Sequence, residues 1–402
     1  MLVIAVMCVA RPAAAQTDPH QPSTRQEALL LQRVEKREHL TIETPSTWER
    51  RLLALEQRKF PQKIFVKGFR GVRPVIGGMP SGSGFVAGGG YIHGLDGELL
   101  QVTANVRYST RGYSAFDAEA ALPARSDLPV RAYIRAGYRD LTALDFFGVG
   151  PASSERGRTR FGLEDRAVHT GVTLAPHRRL RVESEVGVLD VAVSRASGAL
   201  TPQAGVDPRS ATGFERQPDF LVSRASLTLD LRDRWNVPQA GVVVRLSTER
   251  YDDRDFNAFD FTRVAAEFQA HVPIRYRNRM VALRMRTSRS TADRDSAVPF
   301  YLMETLGGAQ SLRGFREYRY RDTRNLLLNA EYRWEVWNYL DFALFADAGK
   351  VFADAADLDF SDLEMGYGFG LRAHAPGGSV IRIDVARSRE GFRLHIGGGP
   401  RF

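Results

Sequence analysis

The chain has 402 residues and a formal net charge of +9, with 56 Lys and Arg against 47 Asp and Glu. The positive charge is mostly Arg and is dispersed along the whole length, which argues against a nucleic-acid patch and suits the lumen and rims of a barrel. Its eight histidines show no ligand spacing, so neither a metal nor a cofactor is expected.

An apolar run from Leu2 to Ala10 is followed by Arg11-Pro12 and Ala13-Ala14-Ala15 before Gln16. Residues 1–15 read as a secretory signal peptide with Gln16 as the mature start, although no Lys or Arg precedes the apolar run. Cys8 is a poor lipoprotein anchor, because Met7 stands where a small residue is wanted. Removal of the signal leaves no cysteine, which excludes a disulfide framework and a thiolate metal site. Beyond it there is no apolar run of roughly eighteen residues, so a spanning helix is excluded and membrane residence requires strands.

Residues 16–80 form an N-terminal helical or linker segment, helix-like at Arg25 to Leu40 and Thr47 to Lys59. In the second stretch Ser46 or Thr47 can cap, Trp48, Leu52, Leu55 and Lys59 share a face, and Pro61 ends it. Two readings stay open: a short periplasmic linker, or an amphipathic helix that docks at or in the barrel mouth.

From about residue 81 to 402 apolar and polar residues alternate. Leu100, Val102, Ala104, Val106 and Tyr108 oppose Gln101, Thr103, Asn105 and Arg107, and Val182, Val186 and Val188 oppose Glu183 and Glu185. Val264, Ala266, Phe268, Ala270 and Val272 oppose Arg263, Glu267, Gln269 and His271, while Leu340, Phe342, Leu344, Ala346 and Ala348 oppose Asp341 and Asp347. A β-sandwich alternates too, but its strands average about five or six residues. Strands of about ten residues, recurring without helices, are long enough to cross a bilayer at a tilt. The fold class expected is all-β and transmembrane: one closed antiparallel outer-membrane barrel of about 16 strands.

The most specific segment is Leu306-Gly307-Gly308-Ala309-Gln310-Ser311-Leu312-Arg313-Gly314-Phe315. Phe345-Ala346-Asp347-Ala348-Gly349 follows, then Gly366-Tyr367-Gly368-Phe369-Gly370-Leu371-Arg372, Pro376-Gly377-Gly378 and Arg382-Ile383-Asp384. Strand parity puts Asp347 on the charged, inward side, where a carboxylate seeks a cation; Arg313 offers a planar fork for bidentate contact, and Gly314 permits a tight turn behind it. Glu331, between Asn329 and Arg333, and Asp384 are candidates for the same network.

This ordered set resembles the BamA/TamA-type surface-antigen superfamily, which includes β-barrel assembly proteins, organelle import barrels and two-partner-secretion transporters. The resemblance implies that Arg313-Gly314-Phe315 is the tip of a loop, at about 300–322, folded into the lumen, and that Phe345, Asp347 and Gly349 are its partner motif. Weaker matches at Gly84-Phe85 to Tyr91, the first strand, at Asp145 to Gly150, and at Leu229 to Asp233 with Pro238 and Gly241 extend it over nearly all of 82–402.

Two departures are visible. Residues 16–80 show helix and coil where assembly and secretion members carry POTRA domains. The C-terminal assembly signal has His395, Gly397 and Phe402 in place but Pro400 where an apolar residue is usual, so the last strand is expected to pair poorly near its end. His374 and His395 lie near Ser379 and Asp384 without a nucleophile motif, so no enzyme is expected. The resemblance implies a barrel that assists insertion or translocation of polypeptides; the alternative is a pore or structural barrel plugged by its N-terminal helix. Partners are outer-membrane lipids and lipopolysaccharide, other outer-membrane or secreted polypeptides, and a periplasmic protein.

Overall fold

The computed structural model describes residues 68–80, 82–94, 99–124, 129–196, 207–234, 238–274, 278–337, 340–374 and 380–398. The signal segment, both helix-like stretches, Pro400 and Phe402 lie outside the described residues.

The strands are β1 (Val72–Ile76), β2 (Val86–His93), β3 (Gln101–Ser109), β4 (Ser114–Leu122), β5 (Val130–Phe146) and β6 (Thr159–His177). Next come β7 (Leu180–Arg195), β8 (Phe220–Asp230), β9 (Gly241–Asp253), β10 (Phe261–Pro273), β11 (Arg279–Ala292), β12 (Glu304–Leu306) and β13 (Tyr320–Asp322). The last are β14 (Arg324–Trp337), β15 (Leu340–Phe352), β16 (Glu364–His374), β17 (Val380–Ser388) and β18 (Gly391–Gly398). Sixteen of them form one sheet in chain order, with β11 joined to β14, while β12 and β13 make a separate two-stranded ribbon in the β11–β14 connection. Every pairing is antiparallel. Among the described residues no pairing joins β1 to β18.

The sheet starts earlier than residue 81, because Val72–Ile76 pairs with β2 in the register Val72 with Tyr91 and Ile76 with Ala87. Pro74 disguises this strand in the sequence. Gly71 accepts from the Ile92 N–H and the Gly77 N–H donates to Val86, so residues of that parity bond to β2. Pro74 has the opposite parity. Its nitrogen faces away from β2, where its missing N–H costs no ladder bond and an edge strand tolerates it.

Contacts across the inner face require the sheet to curl. Phe146 of β5, Phe161 of β6, Leu189 of β7, Phe220 of β8, Tyr251 of β9 and Phe261 of β10 share one buried cluster with Phe300 of the β11–β12 connection. Strands β5 and β10 stand five positions apart, about 24 Å in a flat sheet. Phe300 nevertheless lies edge-on to Phe146 and Phe161 at 5.2 and 5.0 Å between ring centroids.

The two faces have the polarity of a membrane span. On β10, Gln269 and His271 are buried while Val264, Phe268 and Val272 are exposed; on β7, Glu185 is buried while Val182, Val186 and Val188 are exposed. The same inversion continues to the last strand, whose Phe392, Leu394 and Ile396 are exposed at 70, 64 and 70%. No described helix is long and apolar enough to cross a membrane.

A charge on the outer face should therefore carry a depth-dependent penalty. Phe268→Arg, at the middle of β10, is expected to lower unfolding free energy by about 2–4 kcal/mol, whereas Thr262→Arg near its end costs about 0–1 kcal/mol. Urea titration of the refolded chain in liposomes measures both; equal costs would contradict the assigned lipid face.

Candidate functional site

The connection between β12 and β13 folds onto the inner face of the last five strands. Gly307 and Gly308 have φ of 126° and 79°, a conformation that favours glycine, and start the turn. The Gly308 N–H donates to the Phe315 carbonyl at 3.1 Å, and the Ser311 hydroxyl accepts from the Gly307 N–H at 2.8 Å and donates to its carbonyl at 2.7 Å. The loop is closed on itself by these bonds, with Arg313 at its tip.

Arg313 is 0% exposed. Its Nε and Nη2 donate to the two carboxylate oxygens of Asp347, each at 2.8 Å, and its backbone N–H adds a third bond to Asp347 at 3.2 Å. Nη1 donates to Glu331 at 2.8 Å and lies 3.8 Å from Asp384. The guanidinium carbon stands 3.3 Å from the centroid of the Phe345 ring. Burial opposes the charge on Arg313, but hydrogen bonds and attraction from Asp347, with Glu331 and Asp384 beyond, outweigh it and hold the group above the usual guanidinium pKa.

Ladder register delivers these partners to one patch. Asn329, Asp347 and Gly366 are cross-strand neighbours on β14, β15 and β16, as are Glu331, Phe345 and Gly368 one step along. Gly370, Asp384 and His395 continue the patch onto β17 and β18. Asn329 donates to Asp347 at 2.8 Å and to the Ser311 carbonyl at 3.1 Å. Three further arginines balance the carboxylates: Arg372 bonds Glu331 at 3.1 Å and lies 2.6 Å from Asp384, Arg333 bonds Glu331 at 2.8 Å, and Arg382 lies 3.2 Å from Asp384.

The glycines of the site make room. Gly314 lies in the tight turn expected of it, closed by the Phe315 N–H donating to the Leu312 carbonyl at 3.1 Å, and it does so without a positive φ. A Cβ there would meet the Ser388 side chain at 2.6 Å and the Arg387 carbonyl at 2.9 Å, and one on Gly366 would meet the Gly314 nitrogen at 3.0 Å. Loop and wall therefore touch backbone to backbone. Gly349 similarly leaves space for Leu306, 3.2 Å from where its Cβ would stand. Phe315 is buried among Leu306, Leu312, Tyr320, Leu327 and Val351.

Two bonds tie the loop to the final hairpin. The Ser388 hydroxyl donates to the Gly314 carbonyl at 2.7 Å, and His395 Nε2 sits 2.7 Å from the Arg313 carbonyl. His395, assigned from sequence to the C-terminal signal, thus touches the loop tip. Gly397 has only the Arg382 guanidinium within reach of a Cβ, at 3.5 Å, and Phe402 lies outside the described residues. Arg319 extends the attachment, pairing with Glu390 at 2.5 Å and donating to the Ser153 carbonyl at 2.8 Å.

A model of the Omp85 superfamily domain matches residues 101–402. The chain belongs to the Omp85 superfamily. It is an outer-membrane β-barrel protein of bacterial type and not an enzyme. In structure it is similar to BamA from Haemophilus ducreyi lacking POTRA domains 1–3, at a TM-score of 0.60 and 14% identity, covering 82% of this chain and 70% of that one. CdiB from Escherichia coli gives 0.53 at 13% identity over 81% of this chain and 60% of its own. CdiB from Acinetobacter baumannii gives 0.50 at 10% identity over 77% of this chain and 55% of its own. This Omp85 chain therefore spans under two thirds of either CdiB. No curated protein matches it in sequence.

Arg313→Ala leaves Asp347 buried beside a lost cation and is expected to destabilise the barrel by about 3–5 kcal/mol, whereas Arg313→Ala with Asp347→Ala should recover part of that loss. A double-mutant cycle by urea titration gives the coupling. Additive single-site costs would show that the pair does not hold the loop.

Proposed function

We propose that this Omp85 barrel helps polypeptides enter or cross the outer membrane at the edge between β1 and β18. The observation that carries the reading is the filled interior: Arg313 and its carboxylates fix one loop to β14–β18, and an aromatic cluster occupies the inner face of β5–β10. That filling favours the sheet edge over the lumen as the route.

In this reading β1 meets β18 to close the barrel through a weak seam. Both edge strands are short, five and eight residues, and Pro74 offers no N–H to a partner on its open side. An extended substrate segment can pair with such an edge through main-chain hydrogen bonds. The buried latch maintains the wall while the seam parts, because Ser388 and His395 anchor the final hairpin to the loop. His395, Gly397 and Phe402 serve as the C-terminal assembly signal, outer-membrane lipid and lipopolysaccharide surround the wall, and a periplasmic protein delivers cargo.

Depletion in the native organism, with outer-membrane and surface-exported proteins quantified together, tests the role. Selective loss of the first class marks insertion and of the second secretion, while loss of neither favours a structural barrel or pore. A scan of disulfides between Val72–Ile76 and Gly391–Gly398 tests the seam. A bridge that forms should abolish the activity until it is reduced; undiminished activity in the locked barrel would rule out the edge route. Deletion of residues 16–59, which lie outside the described residues, should raise single-channel conductance if that segment plugs a pore, and leave it unchanged if it does not.

A further inference from the structure

Arg289 on β11 and Arg324 on β14 stand directly opposite each other across the ladder. Parity puts both on the outer face, since their neighbours Ser288, Ser290 and Asn325 are buried inside while Leu283 and Met285, in the outer row below Arg289, are exposed. Like charges placed opposite each other in a sheet repel. Neighbouring cations on the same face are balanced: Arg250 by Asp252 and Asp293, Lys350 by Asp359. Among the described residues exposed Arg289 bonds the Thr291 hydroxyl at 2.8 Å, while Arg324 is half-buried, its Nε and Nη1 enclosed without a hydrogen-bond partner and its charge attracted by the Asp322 carboxylate.

Height on the wall narrows the occupant. The outer row of β11 runs Val281, Leu283, Met285, Thr287 to Arg289, and that of β14 runs from Trp334 through Tyr332, Ala330, Leu328 and Leu326 to Arg324. Ten residues of tilted strand rise about 25 Å, the height of a barrel's apolar band. Both arginines therefore stand at its upper margin, on the side of the long 293–323 connection, where outer-leaflet headgroups lie. Val264, Arg289's partner on β10, is 54% exposed and continues the apolar surface beside the charges.

We infer that Arg289 and Arg324 bind a phosphorylated lipid of the outer leaflet, its phosphate between the two guanidiniums and its acyl chains along Val264, Leu283, Met285 and Leu328. The exposed Arg289 fork can grip phosphate oxygens bidentately while Arg324, enclosed at Nε and Nη1, adds its charge and Nη2, so that a phosphate between them replaces repulsion with attraction. The apolar row below selects an anchored phosphate over a free one. The inference stands apart from the seam and from any activity on polypeptides.

The test uses the full barrel in detergent micelles and native mass spectrometry with three probes: bisphosphorylated hexa-acyl lipid A, the same lipid without phosphates, and inorganic pyrophosphate. The phosphorylated lipid is expected to bind at least tenfold more tightly than the dephosphorylated one. R289A/R324A should remove that preference, R289K/R324K should keep most of it, and R250A should leave affinity within twofold. Equal binding of the two lipids, or an unchanged preference in R289A/R324A with heat-modifiable gel mobility confirming its fold, would overturn the site. Pyrophosphate binding as tightly as the lipid would also overturn it, as a free-anion site.

Discussion

A guanidinium withdrawn from water loses several kcal/mol of hydration that only fixed charges and hydrogen bonds can replace, and Arg313 has been withdrawn completely. Its replacement shell comes from two neighbouring strands, β14 and β15: Asp347 takes two arms of the fork, Glu331 the third, and Phe345 covers a face. Those carboxylates and Asp384 on β17 are themselves buried and draw in Arg333, Arg372 and Arg382. The charges thus form one mutually dependent set, in which each member makes the burial of the others tolerable. Because its members sit on β14 to β17, the set also fixes where those strands stand.

The same economy governs the glycines. Gly314 and Gly366 bring the backbones of loop and wall together while Gly349 makes room for the Leu306 side chain, and this close approach lets a short loop reach Asp347. Two kinds of restraint therefore act at one place, steric and electrostatic. Their coincidence gives the loop a single seat.

Much of this was legible in sequence because strand alternation is a strict rule. Period two assigned Val264 and Phe268 to one face and Glu267 and Gln269 to the other, and it put Asp347 inside, with Glu331 and Asp384 as candidates for the same network. What alternation does not encode is distance between strands. Arg372 appeared in the glycine run, but its place between Glu331 and Asp384 depends on the register of β16 with β15 and β17. His395 read as part of a terminal signal because nothing local indicates that a loop carbonyl some eighty residues upstream will meet it. Gly314 read as a turn glycine and is one, but sequence gives no hint of the wall that also requires it to lack a side chain. The first strand was missed for a plainer reason: Val-Arg-Pro-Val-Ile between glycines has the appearance of a loop, and only the orientation of Pro74 relative to β2 makes it a strand.

That proline has a consequence for the life of the chain before it reaches a membrane. A large antiparallel sheet with a bare margin is a template on which unfolded neighbours can assemble, and the danger is greatest while the protein travels through an aqueous compartment. Pro74 interrupts the row of donors along that margin, so a stray strand gains fewer bonds there than along an uninterrupted one. A residue that looks like a flaw in the first strand thereby makes that margin a poorer template for stray pairing.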